Sequence, residues 1–198
     1  MSLPPHVGLN FVDTLHNDIY QNIDPTKSDL AQPSKVVLVT GAGRGIGRSI
    51  ALRYTESGVA HIIICARTAS ELDSVEQAIG SINPGVKVTK FPLDITDEAQ
   101  VTAAANRVKQ DIGRLDILVN NAGITEPWVP IAESSIDDYW NTWAVTIKGT
   151  YVMLRSFLPI LEQTASQESV TVDVINISSI GAHVCPANSL FTLSTPLQ

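Results

Sequence analysis

Lys35-Val36-Val37-Leu38-Val39-Thr40 runs directly into Gly41-Ala42-Gly43-Arg44-Gly45-Ile46-Gly47, and Arg48-Ser49-Ile50-Ala51-Leu52-Arg53-Tyr54 follows. The first segment is short, nearly all apolar and rich in β-branched residues, the pattern of a strand buried on both faces. The last resumes with apolar residues at helical spacing. A glycine-rich turn stands between them. Strand, glycine turn and helix in this order bring a backbone against a pyrophosphate. Residues without a Cβ permit close approach, and a helix N-terminus offers unpaired N–H groups and a partial positive charge. The spacing rules out two phosphate motifs. Gly43-Arg44-Gly45-Ile46-Gly47 does not fit G-x-G-x-x-G, and Gly47-Arg48-Ser49 lacks the lysine of G-x-x-x-x-G-K-[ST], with Ala42 where its first glycine belongs. Thr40, Gly41, Gly45 and Gly47 fill Thr-Gly-x-x-x-Gly-x-Gly instead. Taken alone, the loop also reads as a tight turn ahead of a helix.

Outward from this stretch, apolar runs alternate with helical patterns. Strands are expected over 36–40, 60–66, 86–93, 116–120 and 172–177. The first helix stops at Gly58, a favoured residue just past a helix end. Thr68 with Glu71 forms a capping-box pattern for the second helix, which ends near Gly80. Thr96-Asp97-Glu98 opens the third, with Val101, Ala105, Val108 and Ile112 inward and Gly113 at its end. Ser135 with Asp138 opens a long helix that Pro159 is expected to stop. Such alternation predicts right-handed crossovers and an α/β, doubly wound parallel sheet in the order 3-2-1-4-5. Residues 35–198 form the domain. Residues 1–34, broken by Pro4-Pro5, Asp24-Pro25 and Gln32-Pro33, form an irregular arm that packs through Phe11, Leu15, Ile19 and Tyr20.

The 198 residues suffice for one buried core, and 44% hydrophobic with 17% charged residues fits a globular protein. A net charge of −7 without a basic run argues against nucleic acid or an anionic membrane surface as partner. No apolar run is long enough to span a bilayer and no signal peptide is evident. Cys65 and Cys185 lie far apart in apolar contexts and read as reduced thiols of a cytoplasmic protein. The four histidines form no metal-ligand spacing with them, so no metal site is expected.

Gly41–Gly47, Arg67, Asp94, Asn120–Gly123 and Ser178–Ser179 all fall at strand carboxyl ends, where ligands of such sheets bind. These motifs resemble the short-chain dehydrogenase/reductase family over roughly residues 35–195. The Thr-Gly-x-x-x-Gly-x-Gly loop (Gly41, Arg44, Gly45, Ile46, Gly47) is similar to the family's coenzyme loop. Leu93-Asp94-Ile95-Thr96 resembles the segment that meets the adenine. Asn120-Asn121-Ala122-Gly123 resembles the Asn-Asn-Ala-Gly signature, whose later residues line the adenosine. Val174-Ile175-Asn176-Ile177-Ser178-Ser179 resembles the strand that delivers the catalytic serine, at Ser179. Taken singly, Asp94 serves equally as a helix cap, and the asparagines and Ser179 as turn residues. The resemblance implies a dinucleotide partner and hydride transfer between nicotinamide and a small carbonyl or alcohol. It also implies a homo-oligomer built on the long helix.

Coenzyme choice follows from charge. The NAD pattern places an acid at the end of strand two, where Ala66 and Arg67 stand, and Arg44 lies in the glycine loop. Two guanidinium groups suit a ribose 2′-phosphate, so NADP(H) is expected over NAD(H), the alternative being two solvated surface arginines.

The catalytic pattern departs from the family at three positions. The resemblance implies a Tyr-x-x-x-Lys pair, a serine and an asparagine on the long helix. Aligned from Ser179, Phe191 takes the tyrosine's place and Thr195 the lysine's, and Thr146 replaces the asparagine. Phe191 has no hydroxyl and Thr195 no charge, and a lost general acid costs about 10²–10⁴ in rate. Tyr151 with Arg155 offers no evident substitute, because Tyr151 is expected to pack in the core or an interface. Against the family's usual seven strands the chain reads as truncated to five, a fragment of a longer active reductase or a non-catalytic dinucleotide-binding module being the alternatives.

Overall fold

Every residue of Val36–Thr40 is buried, and this strand, β1, is the centre of a five-stranded parallel sheet. The computed structural model describes residues 16, 18–125 and 129–179. The other strands are β2 (His61–Ala66), β3 (Lys87–Pro92), β4 (Ile117–Asn120) and β5 (Asp173–Asn176), in the order β3-β2-β1-β4-β5. Val37 pairs in register with Ile62 on one side and Ile117 on the other. The chain steps outward from β1 in both directions, which opens a crevice at its carboxyl end.

Alternate residues of the inner strands feed two separate cores. Val37, Val39, Ile62 and Ile64 pack with Ala51 of α1 (Gly45–Glu56) and Leu72, Val75 and Ile79 of α2 (Ala69–Ile82). Leu38, Ile63 and Cys65 pack on the opposite face, with Val101 and Ala105 of α3 (Glu98–Arg107) and Met153, Phe157 and Leu161 of α5 (Thr150–Glu168). Both faces are therefore covered, which is why the strands read as continuous apolar runs. Gly58 and Gly113 take positive φ after α1 and α3, at 74° and 75°.

The amino ends of the strands are tied by Asp116, whose side chain has no exposure. Its oxygens accept from the Val36 N–H at 2.9 Å and from Arg114 Nε and Nη2 at 2.7 and 2.8 Å. Lys35 Nζ lies 3.4 Å away and donates to the Thr171 carbonyl at 2.7 Å. Burial works against the Asp116 charge, but the Arg114 and Val36 hydrogen bonds with the nearby cations outweigh it and hold the carboxyl below its usual range.

Three local expectations need correction. First, α2 runs past Gly80 to Ile82, and the Asn83 N–H still donates to the Ile79 carbonyl, so the helical hydrogen bonds continue across the glycine. Second, Thr68 occupies the N-cap of α2, but its side chain accepts no cap hydrogen bond, so the capping box does not form. Third, Pro159 does not end the long helix. α4 (Ile136–Trp143) continues through a wider π-helical segment, Ala144–Gly149, into α5, and Pro159 lies inside α5. The missing N–H is offset by burial beyond it: Ile160 and Leu161 are in the core, and Thr164 accepts from the Leu115 N–H at 3.0 Å. In the arm, Gln21–Ile23 and Ser28–Leu30 form single 3₁₀ turns, and Ile19 and Tyr20 are each 37% exposed, with the Tyr20 ring stacked on His16. Phe11 and Leu15 lie outside the described residues.

Candidate coenzyme and substrate site

The loop after β1 is built on contacts that only glycine allows. Gly41 and Gly45 take φ of +64° and +58°, the left-handed region. Gly47 is required by proximity: a Cβ there would lie 2.3 Å from the Gly41 carbonyl oxygen and 2.5 Å from Asn121 Nδ2. No side chain caps the N-terminus of α1, so its first amides remain available. The opposite wall is stitched to β1 by Thr40. The Asn121 and Ala122 N–H groups donate to its buried hydroxyl at 2.9 and 3.0 Å, and Asn121 Nδ2 donates to the Thr40 carbonyl at 3.0 Å.

These walls enclose a cleft of about 560 Å³. Gly41, Arg44, Gly45 and Ile46 line it from the loop, and Arg67 from the end of β2. Asp94 and Ile95 follow β3, and Asn121, Ala122 and Gly123 follow β4. The sequence-predicted coenzyme residues are thus brought together, with Gly47 beneath the loop rather than in the lining. Asp94 does not cap α3; Asp97 does, accepting from the Gln100 N–H at 3.1 Å. Asp94 instead accepts from the Thr96 N–H and hydroxyl, both at 2.8 Å. Burial raises its pKa, but those bonds and the charges of Arg67 and Lys148 outweigh it, and the carboxyl sits below its usual range. Arg44 is exposed, with Nε 4.0 Å from Glu71 Oε1. Glu71, Thr68 and Val145 also line the cleft and escaped the sequence reading, Glu71 because the capping pattern gave it another role.

A second cavity of about 860 Å³ shares Arg44, Ile46 and Asn121–Gly123 with the first and extends beneath β4, β5 and the long helix. Ser179 and Thr146 both line it. The Thr146 hydroxyl is buried without a hydrogen-bond partner, as is that of Thr142 one turn earlier. Asn120 Nδ2 donates to Asn176 Oδ1 at 2.9 Å, while Asn120 Oδ1 is buried and unpaired. Tyr151 is 62% exposed on this cavity's wall rather than packed in the core, and Arg155 is engaged by Glu98. Phe191, Thr195, His183 and Cys185 lie outside the described residues. Cys65 is fully buried, and burial pushes its thiol up to about 12. Among the described residues no group of three or more His, Cys, Asp or Glu is placed to hold a metal, and no helix is long and apolar enough to cross a membrane.

Sheet order and crevice define a doubly wound dinucleotide-binding fold. The short chain dehydrogenase family model matches residues 35–190, and the chain belongs to that family. It is 41% identical over 189 residues to the short chain dehydrogenase citE of Monascus ruber, covering 93% of this chain and 62% of that protein. With the short chain dehydrogenase pigC of the same species it shares 34% identity, over 86% of this chain and 55% of the relative. The chain therefore spans little more than half to three-fifths of these fungal relatives. Among solved structures, NAD+-bound xylitol dehydrogenase superposes with a TM-score of 0.72 at 27% identity, over 82% of this chain and 60% of the other. A metagenomic short-chain oxidoreductase in complex with NADP gives 0.71 at 30% identity, over 83% and 71%. The family binds NAD(P), and a cleft lined by Gly41, Arg44, Gly45 and Ile46, beside the uncapped N-terminus of α1, fits the diphosphate of such a ligand.

Proposed function

We propose that this chain is an NADP(H)-preferring oxidoreductase domain in which hydride transfer is impaired. The observation that carries the coenzyme half is the ribose edge of the cleft. Ala66 leaves the end of β2 without the acid of the NAD pattern, while Arg44 and Arg67 line the same cleft. Bound there, the coenzyme supplies hydride to a carbonyl carbon or accepts it from an alcohol. The first amides of α1 hold its diphosphate, Asp94, Ile95 and Asn121–Gly123 its adenosine, and the cavity beside Ser179 receives the substrate.

Impairment rests on the proton. Ser179 remains to polarise a substrate oxygen. Phe191 cannot donate to it, Thr195 brings no charge, and the hydroxyl of Thr146 is shorter than an asparagine amide. These replacements equally support a second reading, a non-catalytic module that keeps the dinucleotide as a structural or sensing ligand. A homo-oligomer is part of the proposal, supported by the exposed apolar residues Ile136, Trp140, Tyr151 and Leu158 along the long helix. So is a cytoplasmic location, which suits the buried, unpaired Cys65 thiol.

Fluorescence titration with NADPH and NADH, followed by a ketone panel with NADPH, tests both halves. Expected are tighter binding of NADPH and turnover about 10²–10⁴ below that of a proton-competent enzyme. Turnover in the ordinary enzymatic range of about 1–10³ s⁻¹ would overturn the impairment. Equal affinity for the two coenzymes would overturn the preference.

A further inference from the structure

Glu71 brings a second carboxylate, besides Asp94, into the cleft that Arg44 and Arg67 line. It belongs to the first turn of α2, yet its carboxylate does not reach back to cap that helix; it lies over the glycine loop. A Cβ at Gly43 would meet Glu71 Oε2 at 2.5 Å, Glu71 Cβ at 2.9 Å and Ala66 Cβ at 3.3 Å. The carboxylate is therefore packed on the Gly43 Cα beside Ala66, the residue at the strand end from which an acid reads a ribose 2′-hydroxyl. Its Oε1 is 4.0 Å from Arg44 Nε, and its side chain is 37% exposed where that of Arg44 is 84% exposed. Glu71, Ala66, Arg67 and Arg44 all line the one cleft.

We propose that Glu71 is the residue that sets how strongly this site discriminates between NADP(H) and NAD(H). The acid missing from the end of β2 is delivered from the next helix. There it does two things that work in the same direction. Its charge lies near Arg44, which a 2′-phosphate would recruit, and so competes for that guanidinium, and it places a negative charge near that phosphate. Toward a coenzyme without the phosphate it is an acceptor for a ribose hydroxyl. Glycine at position 43 is what lets the carboxylate come this close. The inference rests on the NADP(H) reading above, which Arg44 and Arg67 carry, and adds that Glu71 holds the preference down.

The test is the ratio of dissociation constants, Kd for NADH over Kd for NADPH, measured on the full chain and on Glu71→Gln by fluorescence titration and calorimetry. Glutamine keeps the length and removes the charge. The ratio is expected to rise roughly 3- to 30-fold, the range that one charge about 4–6 Å away produces at effective dielectric values of about 40–80, which suit solvent-exposed groups. NADPH should bind more tightly and NADH no better. Glu71→Lys should raise the ratio further. In an Arg44→Gln background Glu71→Gln should act more weakly, because part of its effect runs through Arg44. A ratio that moves less than twofold in both Glu71 variants, or two constants that shift together, overturns the role of Glu71 and leaves the NADP(H) reading standing. Failure of the folded parent chain to bind either coenzyme overturns that reading and this one with it.

Discussion

The two halves of the crevice are finished to different degrees. On the coenzyme side the backbone groups that turn the chain are paired: Thr40 takes two N–H groups, Asn121 returns to the Thr40 carbonyl, and Ala42 donates to the Cys65 carbonyl at 3.0 Å. On the substrate side Asn120 Oδ1, Thr142 Oγ1 and Thr146 Oγ1 are buried and unpaired, and every residue of β5 is exposed. Buried polar atoms without partners cost free energy, so native cores rarely keep them. Among the described residues, the polar groups that shape the coenzyme side are satisfied, while several beside the second cavity are not. That is the difference the sequence motifs foreshadow: the nucleotide motifs fit the family, and the proton-transfer positions do not.

The largest effect should come from the glycine on which the coenzyme half depends. Gly47→Val puts a branched side chain where even a Cβ falls 2.3 Å from a carbonyl oxygen of the same loop. Backbone cannot yield as a flexible side chain can, so the loop must open and Asn121 lose its seat. Dinucleotide affinity is expected to fall at least about 100-fold, which corresponds to about 2.8 kcal/mol. Titration with NADPH checks it, with far-ultraviolet circular dichroism showing that the sheet survives. Undiminished binding would break the comparison at its strongest point, by showing that the loop does not grip the ligand.

The frame shared by both halves comes next. Asp116→Asn leaves the Arg114 and Lys35 charges without their buried partner, and loss of one member of such a group costs about 3 kcal/mol or more. The sign with pH follows from the depressed pKa. Asp116 stabilises the fold fully above its unfolded value of about 3.9, and that contribution fades as pH falls through the lower folded value. Denaturant midpoints of parent and variant should therefore stand well apart at pH 7 and converge below about pH 4. A gap independent of pH would show that the asparagine acts through packing alone.

How much of this was visible beforehand varies with the physics involved. Sheet order and both cores were legible because Val36–Thr40 and its neighbours are apolar on both faces, which only a doubly covered parallel sheet explains. The residues that line the first cleft were legible because the geometry that places them is local: a glycine with positive φ, or an Asx turn at Asp94, depends on neighbours in sequence. Pro159 misled because helix continuation there is set by distant packing of Ile160, Leu161 and Thr164, which no local rule registers. Glu71 misled in the opposite way. Its spacing from Thr68 satisfied a local rule, but a contact with Gly43 from a different loop won. The orphaned Thr142 was invisible for the same reason, since a threonine in a helix commonly bonds its own backbone.

Thr40→Val sharpens the comparison at lower amplitude. Valine matches the shape but leaves the Asn121 and Ala122 N–H groups without their acceptor. We expect about 2 kcal/mol lost in stability, within the range for unsatisfied donors. Coenzyme affinity should fall as well, since the same amides position the wall facing the glycine loop. Thermal unfolding with and without NADPH separates the two effects. The equivalent change on the other side, Thr142→Val, removes a hydroxyl that has no partner, and should be neutral or stabilising.

The smallest difference is between the two N-caps. Ser135 accepts from the Asp138 N–H at 3.2 Å and opens α4 on the substrate side. Thr68 stands at the same position of α2 on the coenzyme side, with no side-chain hydrogen bond to the helix. Ser135→Ala should cost about 1 kcal/mol and Thr68→Ala only a few tenths, since a cap contributes through the bond its oxygen makes. Chemical denaturation resolves a gap of that size when the slopes agree. Equal losses would mean that Thr68 does cap α2 in solution. Glu71 would then be drawn back toward Thr68 and away from Gly43, so this small measurement also probes the arrangement on which the ribose edge depends.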